Sequence, residues 1–265
     1  MAGKIRAGIG GWTFEPWRGV FYPGDLKQKD ELAYASRHVT VIEINGTYYS
    51  MQKPESWAKW AAETPDDFVF TVKGSRYCTN RKVLAEAGPG IERFLSQGLS
   101  RLGPKLGPIL WQFMGTKKFD PDDFAGFLDL LPPEWEGAKL RHVVEPRHDS
   151  FMTPEFVALC RERKIGICLA EHASYPMIAD VTADFVYARL QLGSDDIPTA
   201  YPPEALDLWA RRFTEYAQGA VPDDLPTIDK TAPEKTPRDV FAFFIHEGKV
   251  RAPAAAMELL KRVNT

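Results

Sequence analysis

The stretch Val143–Phe151 reads VVEPRHDSF. An apolar, β-branched run passes directly into Glu145, Pro146, Arg147, His148 and Asp149. Proline carries no backbone N–H and is a poor fit inside a strand, so the strand must end at Glu145 or Pro146. Side chains two apart share a strand face. Val143, Glu145 and Arg147 therefore lie on one side and His148 on the other. A strand that continues the parity of its core positions into charge is either ending in wet punctuation or delivering reactive groups somewhere.

Working outward, the same kind of run recurs along the chain. Ile5–Gly10, Val39–Asn45, Asp67–Lys73, Gly107–Phe113, Leu140–Glu145, Ile165–Ala170, Phe185–Leu192 and Val240–His246 are all short and rich in β-branched and aromatic residues. Helical patterns with good starts lie between them. Pro54 precedes ESWAKWAAE, in which Trp57, Trp60 and Ala61 share a face. Pro89, Asp120-Pro121, Thr153-Pro154 and Pro202-Pro203 open others, and Arg251-Ala252-Pro253 opens the last. Proline at the first helical position after an N-cap is a helix-start signal. A sixth, short helix is expected within Tyr175–Asp184.

Strands alternating with helices imply parallel pairing through right-handed crossovers. Eight such units in 265 residues predict an α/β fold of the (β/α)8 TIM type, one domain over residues 1–265. A doubly wound sheet is the alternative. GIGGWT at Gly8–Thr13 does not supply its dinucleotide fingerprint, because Thr13 stands where the last glycine belongs. Residues 221–239 hold four prolines and eight charged residues and join a helix to a strand, so they are expected to form a surface loop on the face opposite the usual active site.

Composition narrows the function classes. The formal net charge is −3, so no global basic excess exists to coat a polyanion. Three cysteines, Cys78, Cys160 and Cys168, are widely spaced with no CxxC, which suits a reducing compartment and not a disulfide framework. The N-terminal residues MAGKIRAGIGGW show no apolar signal core, and no run approaches a membrane span. A soluble, cytoplasmic protein with no membrane partner is the expectation.

In a barrel of this type the C-terminal strand ends converge on one mouth. Those ends carry Trp12 after strand one, Glu43 and Asn45 on strand two, Lys73 on strand three and Gln112 on strand four. Glu145 and Arg147 follow on strand five, Glu171 and His172 on strand six, Arg189 and Gln191 on strand seven, and His246 and Glu247 on strand eight. Glu43, Glu145 and Arg189 continue the parity of Val41, Val143 and Tyr187. The pattern reads as apolar layers capped by a polar top layer. Buried charge is costly unless paired or used, so the layer is either a structural ion-pair network or a site. After strand three, Lys73–Lys82 (KGSRYCTNRK) contains Lys73, Arg76, Arg81 and Lys82 and no acid, with Tyr77 among the cations, and Trp12, Trp17, Tyr22, Tyr48 and Tyr49 follow strands one and two. Cations beside aromatics suit phosphate, sugar or base recognition.

VIEINGTYYSMQKPESWAKW, FYP at Phe21–Pro23, FVFTVKGSRYCT, KLGPILWQF and VEPRHDSF together resemble the YecE-like family, a domain-of-unknown-function family with a TIM-barrel-like fold. The likeness runs from Gly8 to about Leu260. It implies that Glu43, Asn45, Thr47, Tyr48, Lys73, Arg76, Gln112, Glu145, Arg147, His148 and Arg189 occupy the family's characteristic positions. It implies a fold and a set of positions, not a reaction. Four places depart from the family pattern: Asn80 after strand three, Glu171 at strand six, Gln191 at strand seven, and His246-Glu247 closing strand eight.

These residues together predict an enzyme, a hydrolase or isomerase, acting on a small phosphorylated or otherwise anionic substrate such as a sugar or nucleotide. Trp12, Asn45, Tyr48, Lys73, Arg76, Gln112, Arg147, Arg189 and His246 would bind it. Glu145 or Glu43, with His148, would move protons, their pKa values set by neighbouring charge. No cofactor and no metal are assigned. Two alternatives stand beside this reading. One is a non-catalytic module for nucleic acid or phosphate, motivated by the basic, aromatic loop. The other is a metal-dependent isomerase or phosphodiesterase, for which Glu43, Glu145, Glu171, His172, His246 and Glu247 are the right residue types, although no short spaced motif such as HExxH is present and Lys73, Arg147 and Arg189 are poor neighbours for a divalent ion. A degenerate barrel kept for a protein contact is the bland reading that the four departures sustain. A retaining sugar hydrolase fits less well, because strands four and seven end in Gln112 and Arg189 and not in carboxylates.

Overall fold

The structure is a computed structural model that describes residues 2–231 and 233–264. Eight parallel strands close into a barrel: β1 (Ile5–Gly10), β2 (Val41–Ile44), β3 (Val69–Lys73), β4 (Leu106–Gln112), β5 (His142–Glu145), β6 (Gly166–Glu171), β7 (Phe185–Leu192) and β8 (Asp239–Glu247). The order round the barrel is sequential, with β8 returning to pair with β1. The expected (β/α)8 architecture is what the chain adopts. A small antiparallel hairpin, Glu134–Trp135 with Ala138–Lys139, precedes β5.

The helices are α1 (Glu31–Ala35), α2 (Pro54–Glu63), α3 (Arg76–Thr79), α4 (Gly88–Leu95), α5 (Pro121–Asp129), α6 (Pro154–Glu162), α7 (Pro203–Ala217) and α8 (Ala252–Val263). The start signals act as their chemistry dictates. Asp120 accepts from the Asp123 N–H and Thr153 from the Phe156 N–H, each satisfying a donor the helix leaves free. Proline occupies the first turn of α2 and of α4 to α8.

The helix expected within Tyr175–Asp184 does not form. Every strand except β6 is followed by an α-helix, and residues 172–184 cross back in extended and bent conformation. Residues 178–182 are buried one after another, where a surface helix would bury only one stripe, and Asp180 spends its carboxylate on the backbone of another loop. Its flank is covered instead by the proline-rich loop. Asp180 accepts from the Ile228 and Asp229 N–H groups at 2.7 and 2.9 Å. Ala179 donates to the Pro226 carbonyl at 3.0 Å, Arg161 pairs with Asp229, and Leu225 and Arg238 are buried. The loop thus fills a helix's place in the outer layer.

Inside the barrel, Val41, Val69, Leu110, Val143, Cys168, Phe185, Tyr187, Phe241, Phe243 and Ile245 form one cluster, and the outward faces pack against the helices in a second, larger one. Strand alternation separates the two. At the base, Asp239 meets Arg6 at 3.3 Å and Arg141 at 3.9 Å, and both guanidiniums lie over the Phe241 ring. Paired charges and a ring therefore close the base of a packed interior. The glycines of β1 belong to this packing: a Cβ on Gly8 would sit 1.7 Å from the Val41 carbonyl oxygen. Close approach thus explains Gly8 and Gly10, and a left-handed φ of 75° explains Gly11. No helix among the described residues is long and apolar enough to cross a membrane.

Candidate functional site

The mouth is built by parity. Val41 points inward, so Glu43 does; Val143, so Glu145; Tyr187, so Arg189 and Gln191; Val69, so Thr71 and Lys73. Register sets Gln112 beside Glu145 and Glu43 beside Thr71.

Arg189 is the centre. Its Nη1 donates to both Glu145 oxygens at 2.8 and 2.7 Å, and its Nη2 donates to Glu43 Oε1 at 3.1 Å. Both carboxylates are fully buried. Tyr187 donates its hydroxyl to Glu43 Oε2 at 2.6 Å and lies 3.1 Å from the Thr71 hydroxyl. Gln112 Nε2 donates to Glu145 Oε2 at 2.6 Å, and Arg147 Nη2 to Oε1 at 3.3 Å. Burial by itself would raise the Glu145 carboxyl, but Arg189, then Arg147, Gln112 and Lys73, outweigh it and hold it at about 2. Burial likewise works against the Arg189 charge, and Glu145 and Glu43 more than restore it, raising its pKa.

Lys73 is a different kind of buried cation. It is 9% exposed, and its ammonium makes no hydrogen bond or ion pair among the described residues. Nζ lies 4.3 Å from the centre of the Tyr48 ring. Burial and then Arg189 pull its pKa down to about 8, against the opposing pull of Glu43 and Glu145. Lys105, also buried, shows what a structural lysine looks like here: it donates to Ala61 O, Thr64 O and Thr64 Oγ1 at 2.6, 2.7 and 3.2 Å, closing the end of α2.

One layer further out, Arg147 donates to the Tyr175 hydroxyl at 3.1 Å and lies over that ring, which stacks on His172 at 3.6 Å. Gln191 is 1% exposed, yet neither its amide nitrogen nor its amide oxygen meets a partner on the protein. The Nε atoms of Arg147 and Arg189 are likewise buried and unpaired. Buried polar groups are normally satisfied, so this layer presents donors and an acceptor with nothing yet assigned to them. The groove between α7 and α8 offers no comparable group: its charges pair with one another, Arg211 with Glu215 and Arg262 with Asp207.

The other sequence-derived candidates fall in distinct places. Asn45 sits at the rim beside Gly10, where a Cβ would come 2.9 Å from its amide nitrogen. Tyr48 bonds Asn80 across the next loop at 3.2 Å. Arg76 is exposed. Trp12 turns away from the mouth and packs edge-on against Trp60 and Phe70, between barrel and helix. His148 has the opposite parity to Arg147 and caps a 3-10 turn, its Nδ1 accepting from the Ser150 N–H at 3.0 Å. His246 stands at the exposed rim with φ of 71°, 3.2 Å from Glu247 and edge-on to His172. Glu171 points outward, where Tyr201 and Trp209 donate to it at 2.6 and 2.9 Å. Among the described residues no three His, Cys, Asp or Glu side chains are grouped as metal ligands would be. Tyr187, Thr71 and Tyr175 belong to the site without having been singled out from sequence. Parity with Arg189 and Lys73 could have flagged the first two; Tyr175 lies in an irregular crossover and left no signal.

Fold and mouth together define a (β/α)8 barrel whose C-terminal end carries a buried carboxylate–guanidinium network under an unpaired ammonium. The chain belongs to the DUF72 family: the model described as "Protein of unknown function DUF72" matches residues 6–265. The YecE-like resemblance holds as well. The chain is similar to the UPF0759 protein YecE of Escherichia coli strain K12, 32% identical over 142 residues, or 52% of this chain and 48% of that protein. The match thus spans about half the length of that relative. A DUF72 family protein from Thermotoga maritima superposes with a TM-score of 0.74 at 22% identity, covering 99% of this chain and 100% of the other. SacUVDE superposes at 0.57 with 10% identity over 98% of this chain and 99% of its own. Likeness at those identities speaks for the fold alone.

Proposed function

We propose that the protein is an enzyme that binds a small anionic, phosphorylated substrate at the barrel mouth and moves a proton there. The observation that supports this most directly is Lys73: a largely buried side chain whose ammonium pairs with no anion among the described residues and lies within the field of Arg147 and Arg189. Two carboxylates set against Lys73, Arg147 and Arg189 leave the pocket with excess positive charge, which an anionic ligand would balance. Arg147 supplies a planar fork suited to phosphate or carboxylate oxygens. The unpaired Gln191 amide can take one further donor and one acceptor of the ligand.

The acid–base role drawn from sequence for Glu145 changes hands in this reading. A carboxylate held at about 2 and saturated by Arg189, Arg147 and Gln112 is a weak base at neutral pH. It orients the guanidiniums instead. Lys73, at about 8, lies near the range in which general acid–base catalysis is most effective. As a cation it holds the anion, and as the fraction that is neutral rises it accepts a proton. His148, occupied in its cap, has no part in this scheme.

Calorimetric titration of the full chain with sugar phosphates and nucleotides tests it. The expected result is binding that weakens as pH rises through about 8 and that falls at least tenfold in Arg147→Ala or Lys73→Met. A panel in which no phosphorylated compound binds, or in which those two variants bind as the parent does, refutes it.

A further inference from the structure

A ledge of rings and cations leads from solvent into the mouth. Tyr77 and Tyr49 are 66% and 64% exposed. Arg76 lies between them, its guanidinium carbon 5.6 Å from the Tyr77 ring and 5.8 Å from the Tyr49 ring. Tyr49 meets Tyr48 edge to face at 5.0 Å, and Tyr48 presents its own face to Lys73 Nζ at 4.3 Å. These contacts form an unbroken path from the surface to the unpaired ammonium. Arg81 and Lys82 continue the same loop, and Glu86, 4.0 Å from Arg81, is the nearest acid paired there.

The ledge is held in place. Tyr48 and Tyr49 come from the turn after β2, and Arg76 and Tyr77 from α3 after β3. Thr47 Oγ1 donates to the Lys73 carbonyl at 2.7 Å, and Asn80 Nδ2 to the Tyr48 hydroxyl at 3.2 Å, so the two loops are tied together. Ser75 caps α3 by accepting from the Tyr77 N–H. A single exposed tyrosine needs no explanation. Two flanking a guanidinium, contiguous with a buried cation at the functional end of a barrel, form a surface with a definite complement.

We infer that this ledge is a nucleobase-stacking subsite, and that the ligand of the mouth is a nucleotide: its phosphate on Lys73 and Arg147, its base on the Tyr49–Arg76–Tyr77 surface. The inference rests on the anionic-substrate reading and names its substrate class. Ring faces and a guanidinium plane stack on any base and carry little sequence preference. The cations at the inner end of the path suit a phosphate. A bare sugar phosphate would leave the ledge unused. A free nucleotide and the end of a single strand share this chemistry.

Calorimetry on the full chain with adenosine 5′-monophosphate, ribose 5-phosphate and pentathymidylate, for the parent, Tyr49→Ala and Tyr77→Ala, tests it. Both tyrosines are exposed, so neither substitution removes core packing. Stacking predicts adenosine 5′-monophosphate binding about five- to a hundredfold tighter than ribose 5-phosphate. That advantage should be lost in Tyr49→Ala or Tyr77→Ala while ribose 5-phosphate affinity is unchanged. Tighter binding of pentathymidylate with a steeper salt dependence assigns a strand end; tighter binding of the monophosphate assigns the free nucleotide. Equal affinity for the two monophosphates, or an advantage that survives both substitutions, overturns the subsite and leaves the anion site standing. Failure of every phosphate to bind overturns both.

Discussion

Replacing Lys73 by methionine should make the protein more stable. Lys73 is 9% exposed and has no hydrogen-bond acceptor among the described residues. Its ammonium is held from 10.5 down to about 8. At about 1.4 kcal/mol per pKa unit, a shift of that size means the folded state carries the charge at a cost of about 3 kcal/mol. Methionine has a similar volume and removes the cost, while losing a cation–π contact of about 1 kcal/mol with Tyr48. The expected net gain is about 1–3 kcal/mol at pH 7. The sign with pH follows from the lowered pKa. The cost is fully present below about 8 and is relieved as pH rises towards 10.5, because the unfolded chain then binds more protons than the folded one. The gap between variant and parent should therefore shrink between pH 8 and 10. Urea unfolding at pH 7 and pH 9.5 measures both quantities. A variant less stable than the parent, or a gap independent of pH, refutes the reasoning, because Lys73 would then be a structural cation.

Other perturbations separate structure from function. Lys105→Met should cost about 2–4 kcal/mol in the same urea experiment, since three buried acceptors at the end of α2 lose their donor. Arg189→Met should destabilise by about 3–5 kcal/mol at pH 7, because it leaves two buried carboxylates without their shared cation; the deficit should narrow in acid, as Glu145, no longer held low by that guanidinium, takes up a proton. In the parent, the Glu145 contribution is complete above the ordinary carboxyl range and is lost as pH falls towards about 2, so acid titration followed by circular dichroism should show a loss of stability that Glu145→Gln flattens. Asp180→Ala removes the acceptor for two backbone N–H groups of the proline-rich loop. It should cost about 2–3 kcal/mol and raise hydrogen exchange at Ile228 and Asp229 above the rest of the chain.

The barrel was legible because its signals are local. β-Branched runs, proline after an N-cap and alternation of strand with helix each depend on a few neighbouring residues, and the eight strands lie where those runs lie. The helix expected in Tyr175–Asp184 does not form although Pro176 and the spacing of Tyr175, Ile178 and Ala179 are compatible with one, because residues 178–182 are all buried under a distant loop. What takes its place, the Pro226–Asp229 segment of the proline-rich loop, comes from beyond the next helix, and no local signal announces such a contact.

Parity alone carried Glu43, Lys73, Gln112, Glu145, Arg147 and Arg189 to one mouth, because a strand side chain has two choices of face and the apolar positions settle which. Their roles were not legible. That Glu145 is saturated by donors from its own strand, the adjacent strand and one two places away, while Lys73 has no acceptor, depends on distances across the barrel. Trp12 and Glu171 show the same limit from the other side: each closes a strand, and each turns outward into packing that the sequence does not display. Residue spacing thus determined which side chains meet, since closure of a parallel barrel is a local rule repeated eight times. Only the tertiary structure decided which of their charges are spent on one another and which one is left over, since Coulomb energy and burial depend on separations in space that no spacing along the chain encodes.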